Sequence, residues 1–411
     1  MNPLYNLTAH ITFFILKIYG LFNEKIKLFI KGRTETFGIL SVLKKEDKVI
    51  WFHAASLGEF EQARPIIEEV KKSSPNHKIV VTFFSPSGYE IQKNYPLADI
   101  VCYLPFDTRG SVRKFVEIVH PEIAIIIKYE FWPNLLHQLK KNSIPTILVS
   151  GIFRKDQAFF KSSGKWMKKS LVAFDHFFVQ NKTSKELLES IEFNNVSISG
   201  DTRFDRVGKI LQQDNSLPFI EAFKNNQYTV VAGSTWQEDE ELLVNYINNS
   251  TNEKFIIAPH TMKKKTIQEL HESIQKKVLL FSNKEGKVMA DFDVLIIDTI
   301  GLLTKIYSYA DAVYVGGGFK TGLHNVLEPA VFGVPIVIGT QFSKFKEAVD
   351  LVEKKGCISV SDQEHFSSTF NQLKLDLDFR KETGDINSTY IKENIGATAQ
   401  IMKYIHKQLK L

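Results

Sequence analysis

From Val49 onward the sequence repeats one unit: a short apolar, largely β-branched run, a turn of small residues, then an amphipathic stretch. The runs are Val49–His53, Lys78–Phe83, Ile100–Tyr103, Ile123–Ile127, Thr146–Val149, His176–Val179 and Val196–Ser199. Helical stretches lie between most of them; Ser111–Val119 is stopped by Pro121, and Trp132–Lys141 precedes Pro145. Strands that are apolar on both faces need cover on both faces, and alternation with helices supplies it in a parallel α/β sheet. The pattern pauses over the polar stretch Gly208–Pro218. It restarts with Thr229–Ala232, Phe255–Ala258, Lys277–Phe281, Val294–Ile297, Ala312–Val315 and Pro335–Ile338. A chain of 411 residues has room for two such domains. We therefore expect α/β domains over residues 33–207 and 219–386, a hinge over 208–218, and a helix over 387–411 that can cross back onto the first domain. Doubly wound sheets bind ligands at the carboxyl ends of their strands. Two facing sheets would place chemistry in a shared cleft, just after the predicted strands.

Composition narrows the function. There are 52 basic and 46 acidic residues, and 52 − 46 gives a net charge of +6. That excess is too small and too dispersed to indicate nucleic acid, but it suits an anionic substrate or a membrane surface. Cys102 and Cys357 are the only cysteines. They can form neither a disulfide framework nor a cysteine zinc site, which favours a reducing compartment. No H-E-x-x-H, EF-hand or Walker pattern occurs, so no metal site is expected.

Residues Leu4 to Ile30 are the most apolar stretch. Leu7, Ile11, Phe14, Ile15, Ile18 and Phe22 share one helical face, with Phe13, Leu16 and Tyr19 elsewhere on the wheel. Lys17 breaks the run and Glu24, Lys25 and Lys27 follow it, so the apolar stretch is short for a bilayer span, which takes about 20 residues. We expect a membrane-associating helix over 1–32, lying on or dipping into the bilayer, with Lys25, Lys27, Lys31 and Arg33 toward anionic head groups. A helix packed on its own domain is the alternative.

Four motifs follow predicted strands. In His53-Ala54-Ala55-Ser56-Leu57-Gly58-Glu59, Gly58 permits close backbone approach and Glu59 sits at a helix start. There it is either a general base or a complement to the helix dipole. In Lys128-Tyr129-Glu130-Phe131-Trp132-Pro133-Asn134, Glu130 precedes two aromatics that suit either a sugar face or the core. In Gly200-Asp201-Thr202-Arg203-Phe204-Asp205, Arg203 is either a fork for an anion or the partner of Asp201 or Asp205. The fourth, Gly316-Gly317-Gly318 through His324-Asn325-Val326-Leu327-Glu328-Pro329, joins a strand to a helix. Its glycines admit a ligand to the backbone, and helix-start amides at about Leu323–Val326 would face a phosphate. Glu328 would accept from ribose hydroxyls. Smaller signals are Ser234-Thr235, Pro259-His260 and Ile300-Gly301-Leu302. By themselves these are loop features.

In order along the chain, these motifs resemble those of the Kdo (3-deoxy-D-manno-octulosonic acid) transferases of lipopolysaccharide assembly. Family members read H-A-x-S-x-G-E where this chain has His53 to Glu59, and E-x-E-x-W-P-N near Lys128 to Asn134. They read G-N-x-K-F-D at Gly200–Asp205, and G-G-S…G-G-H-N-x-L-E-P at Gly317–Pro329. The resemblance implies the GT-B fold, with two Rossmann-like domains facing across a cleft, the first for acceptor and the second for the CMP-sugar. It implies inverting transfer of Kdo from CMP-Kdo to a lipid A precursor of the lipid IVA type. No cofactor or nucleic acid is expected, and the place of action is the cytoplasmic face of the bacterial inner membrane. Glu59 stands for the general base, with Glu130 and Arg203 for transition-state stabilisation. CMP contacts carry over to Pro259 and His260, to Ile300, Gly301 and Leu302, and to Asn325, Val326, Leu327 and Glu328. We add Ser56, Gly58, Arg64, Ser234, Thr235, Gly317 and Gly318 as substrate contacts; Arg64 and Arg203 are candidate cations for the Kdo carboxylate. Three positions depart from the family: Arg203 replaces Lys, His260 replaces Arg, and Leu302 replaces Glu. Two other readings share the fold, a sugar-nucleotide epimerase and a non-catalytic carbohydrate- or lipid-binding protein.

Overall fold

The computed structural model describes residues 3–161 and 164–410. The chain divides into two compact units, one built from residues up to Arg206 together with Asn394 onward, the other from Val207–Glu393. The first holds seven parallel strands: β1 Val49–Ala54, β2 Lys78–Phe83, β3 Ile100–Tyr103, β4 Ile123–Ile127, β5 Thr146–Gly151, β6 His176–Val179 and β7 Val196–Ile198. Their order is β3-β2-β1-β4-β5-β6-β7. The chain reverses its direction of travel between β1 and β4, which are hydrogen-bonded neighbours. The crevice at their carboxyl ends is the topological switch point of the sheet.

Every residue of β1 and of β4 is buried, as the continuous apolar runs require. Side chains alternate between the faces. Trp51 packs with Phe115, Leu136 and Phe177 on one. Phe52 packs with Phe60, Ile66 and Phe83 on the other. Each such side chain contributes about 1.5–3 kcal/mol by leaving water. The second face also receives Ile401 and Ile405 from the helix Ala397–Leu409. Asp205 fixes that helix by its first turn, accepting from the backbone of Gly396 (2.6 Å) and Thr398 (2.8 Å).

The second unit holds β8 Thr229–Thr235, β9 Lys254–Pro259, β10 Val278–Leu280, β11 Val294–Ile296, β12 Ala312–Val315, β13 Ile336–Ile338 and β14 Cys357–Ser359. The order is β10-β11-β9-β8-β12-β13-β14, again all parallel, with the switch point between β8 and β12.

The termini and the junction differ from expectation. The helix expected over 1–32 is two: α1 Pro3–Tyr19 and α2 Glu24–Leu40. Met1 and Asn2 lie outside the described residues. The break has a local cause. Gly20 closes α1, and the Asn23 side chain accepts from the Ile26 amide (3.1 Å), capping α2. Among the described residues, no helix is long and apolar enough to cross a membrane. α1 is docked on its own unit through Tyr5 on Asp107 (2.7 Å) and Phe13 on Phe106 (4.3 Å between centroids). Its other face, with Leu4, Leu7, Ile11, Phe14 and Ile18, stays exposed.

Lys27 and Lys31 are exposed, but Arg33 is buried under Phe29, Phe84, Tyr103 and Phe106. Its position faces the sheet rather than head groups. The Lys25 side chain lies outside the described atoms. The stretch expected as hinge is partly ordered: Gly208–Ile210 end the helix Arg203–Ile210, and Pro218 opens the helix Pro218–Lys224. The helix expected from 387 is also two pieces. Leu377–Asn394 ends just past the second unit, and Gly396, at φ +126°, turns the chain into Ala397–Leu409.

Candidate active site

The β1–β4 switch point carries the first two motifs. β1 ends at Ala54 and α3 (Leu57–Ser73) begins three residues later. The Glu59 carboxylate folds back and accepts, on Oε2, from the amides of Ala55 (2.7 Å) and Ser56 (3.2 Å). Both uses expected of Glu59 therefore draw on one geometry: its half of a capping box fixes where the carboxylate sits. Glu59 is 8% exposed. Burial raises its pKa above the ordinary value and the charge of Glu130 raises it further, against Lys128, the Ala55 amide and His53, which lower it. A carboxylate whose pKa is raised in this way is a stronger base than one in water.

Glu130 follows β4 and is held by a chain of hydrogen bonds. Its Oε2 accepts from Trp132 Nε1 (2.6 Å) and lies 3.1 Å from His53 Nε2. The other ring nitrogen of His53 lies 2.9 Å from Thr82 Oγ1, to which Trp51 Nε1 also donates (2.9 Å). The two aromatics after Glu130 divide the expected roles. Phe131 packs on Phe153, Phe159 and Phe174, while Trp132 stacks on Phe84 at 4.8 Å and serves Glu130. Around this pair lie Lys128, at φ +67°, and Arg154, both facing the Tyr129 ring.

Arg203 follows β7. Its Nε and Nη2 both donate to Asp201 Oδ2 (3.0 and 2.8 Å), which also accepts from Gln62 of α3 (3.0 Å). Asp201 is thus its partner, and Asp205 is spent on the last helix. Arg64 is turned roughly 140° around α3 from Glu59. It lies near Glu61 (3.9 Å) and Glu68 (3.4 Å) of its own helix. Ser56 and Gly58 are partly and well exposed at the turn.

In the second unit the three glycines follow β12 and meet backbone. A Cβ on Gly316 would lie 2.4 Å from Ser234 O, and one on Gly318 would lie 2.6 Å from Gly339 N. Asp239 staples this turn to the β8 loop: its Oδ2 accepts from Gly317 N (2.8 Å) and Trp236 N (2.9 Å), its Oδ1 from Tyr314 (2.6 Å). Ser234 stands at φ +56°. Thr235 is buried and its hydroxyl donates to Glu240 (2.8 Å), so a ligand can use only its backbone.

The helix expected to start at about Leu323 starts at Leu327 and makes a single turn, Leu327–Ala330. The 324 amide donates to Gly316 O and the 327 amide to Asn325 Oδ1, so these two do not point at a ligand. The Val326 and Leu327 side chains are buried. Glu328 is held by Thr304 on Oε2 (2.7 Å) and Asn325 on Oε1 (3.2 Å).

Pro259 ends β9. His260 stacks on Trp236 (4.4 Å) and lies 4.6 Å from His324. Trp236 Nε1 donates to His324 Nε2 (3.0 Å), and burial, with His260 nearby, pushes His324 down to about 4. Ile300 is 85% exposed beside Gly301, at φ +96°, with Leu302 half-buried. Among the described residues no group of three or more His, Cys, Asp or Glu is placed to hold a metal ion.

Comparisons with known proteins bear on this arrangement. The family model of 3-deoxy-D-manno-octulosonic-acid transferases (kdotransferases) matches residues 31–206. The 3-deoxy-D-manno-octulosonic acid transferase of Aquifex aeolicus is 26% identical over 85% of this chain and 94% of its own. That of Haemophilus influenzae is 25% identical over 96% of both chains. The family-model match and these relatives, which span most of the chain, support the Kdo transferase family. The chain is a glycosyltransferase of lipopolysaccharide biosynthesis. Among solved structures it is similar to UDP-GlcNAc 2-epimerase from Neisseria meningitidis, at 15% identity, a TM-score of 0.60, and 88% and 100% of the two chains covered. It is also similar to Acinetobacter baumannii MurG, at 9% identity and 0.55 over 88% and 99%. These two likenesses show a GT-B-like fold and nothing finer.

In this transferase the structure brings Glu59 and Glu130 to one switch point, and Ser234, Gly317 and Gly318 to the other. Arg64 is placed apart from them, beside Glu61, Glu68 and the Tyr95 ring. Four contributors escaped the sequence reading. His53 and Lys128 stand inside quoted motifs yet drew no role. Trp236 and Asp239 follow Ser234-Thr235, where an N-terminal D-E-E run was the available signal.

Proposed function

We propose that this transferase moves Kdo, with inversion, from CMP-Kdo to a lipid A precursor of the lipid IVA type. It would act at the cytoplasmic face of the inner membrane, with the exposed apolar face of α1 on the bilayer surface. The observation that carries the reading is Glu59, a buried carboxylate held at a switch point by its own capping bonds, with raised basicity. Glu59 takes the proton of a glucosamine hydroxyl as that oxygen attacks the anomeric carbon of Kdo. CMP leaves from the opposite face. Glu130 and Arg203 stabilise the transition state; the geometric support is that His53 and Trp132 orient Glu130, and Asp201 orients Arg203.

The first unit takes the acceptor and the second the donor, with the chain between residues 208 and 218 as the hinge. On the second unit Glu328 accepts from ribose hydroxyls and Asn325 lies beside it. Pro259, His260 and the Ile300–Leu302 turn flank the base, and Leu302 contributes backbone only. The donor is a substrate, and the reading requires no cofactor or metal.

The test is to incubate the purified chain with CMP-Kdo and a tetra-acylated lipid A precursor and read products by mass spectrometry. The expected result is acceptor heavier by whole Kdo residues. Unchanged acceptor, with epimerised UDP-sugar in a parallel incubation, would overturn the reading.

A further inference from the structure

α1 has two unlike faces. Tyr5, Ala9, Thr12 and Leu16 recur at helical spacing on the side toward the protein, and Leu7, Ile11, Phe14 and Ile18 lie about half a turn away. The inward face is narrow where it matters: Ala9 and Thr12 are small between larger neighbours. They leave a cavity of about 240 Å³ roofed by α1 and walled by Phe84, Phe106 and Trp132. At one end it abuts the site, because Trp132 donates to the Glu130 carboxylate. The exposed apolar face lies on the far side of the helix that roofs it.

Behind the Phe84 and Phe106 wall lies the Arg33 guanidinium, 4.7 and 5.0 Å from the ring centroids and 5% exposed. Its hydrogen bonds go to the carbonyls of Phe29 and Phe84, its Nε has no partner, and among the described residues it makes no ion pair. Arginine stays protonated, so a buried positive charge without a counter-ion sits at the wall. Asp107 also lines the slot, but its carboxylate is taken up by Tyr5 and the Asn134 and Leu135 amides, so what the slot offers a ligand is mainly its apolar wall, with the Arg33 charge behind it.

We infer that this cavity receives one acyl chain of the acceptor lipid, threading it beneath α1 toward Trp132 so that the sugar arrives at Glu59 and Glu130. The inference rests on the proposed lipid acceptor and adds where its chain goes. An ordinary phospholipid anchored in the same slot is the rival occupant.

The test compares kcat/KM for tetra-acylated and fully deacylated acceptor in mixed micelles, read as a ratio. Ala9→Trp fills the slot, and the acylated-to-deacylated ratio is expected to fall about 10-fold, since several buried methylenes are displaced. Leu16→Ala enlarges the slot and is expected to raise the ratio for a longer-chain acceptor; it carries the test if Ala9→Trp fails to fold. A ratio unmoved by the well-folded variants overturns the inference. So does weakened vesicle binding with an unmoved ratio, which would assign the slot to bulk phospholipid. Wild-type protein inactive on both acceptors would instead sink the lipid-acceptor reading, and the slot's assignment with it.

Discussion

The two switch points are built alike and furnished differently. At β1–β4 the loops carry ionisable groups, the carboxylates of Glu59 and Glu130 and the cation of Lys128, beside a histidine at the end of β1 wired into a buried hydrogen-bond chain. At β8–β12 they carry glycine backbone pressed on backbone, with an indole and two imidazoles whose pKa burial lowers. The first can move a proton and answer a developing charge. The second can admit a flat, phosphorylated ligand close to the main chain. Under the proposed function the same topology would split one reaction into a chemical half and a holding half, and the difference rests on what the strands are followed by rather than on the strands.

Breaking the chemical half gives the largest expected effect. Glu59→Gln keeps shape but removes the base, and transfer should fall roughly 10²–10⁴-fold. The thermal shift given by CMP should survive, because the nucleotide reading belongs to the other unit. Loss of both would deny the division of labour.

The holding half breaks differently. Gly318→Ala drives a Cβ into the backbone of Gly339 at 2.6 Å. Crowding of this kind costs about 1–3 kcal/mol, visible as a lower urea midpoint, with the CMP thermal shift reduced. An unchanged midpoint would mean that the close approach is not required.

His324 sharpens the contrast through pH. Its folded pKa, about 4, lies below the usual 6.5. Between those values the unfolded chain binds more protons than the folded one, so stability falls as pH drops from 6.5 toward 4. Replacing His324 with Asn should flatten that part of the stability-versus-pH curve. The smallest effect is expected from Arg64→Gln. Its ion pairs are with its own helix and partly exposed, so the rate should stay within about 3-fold of wild type. A larger loss would restore Arg64 as a substrate contact.

Much of this was legible along the chain. β2, β3, β4, β6 and β12 begin and end where the apolar runs do, since burial on both faces leaves no freedom at those positions. β14 was not, because Cys357–Ser359 is three residues at a sheet edge and carries no run to read. Glu59 and Glu130 could be named from their motifs, but not their shared switch point: strand order is set by packing between distant segments, not by local pattern. Thr235 looked like a ligand contact and turned inward to Glu240. The glycine motif suggested a helix start at Leu323, yet Asn325 caps at Leu327, a shift that only side-chain geometry decides. Gly20 and Asn23 were in plain view, and the apolar stretch masked them.

The central claim is that Glu59 is the base and that Glu130 helps set its basicity. The dependence of kcat on pH tests it most directly. A base works ionised, so the rate should fall on the acid side with a midpoint above the ordinary glutamate value of 4.5, as burial and Glu130 dictate. Glu130→Gln removes the neighbouring charge and should move that midpoint lower even as it slows the reaction. A rate flat through the acid range, or a midpoint that Glu130→Gln leaves in place, would contradict the account.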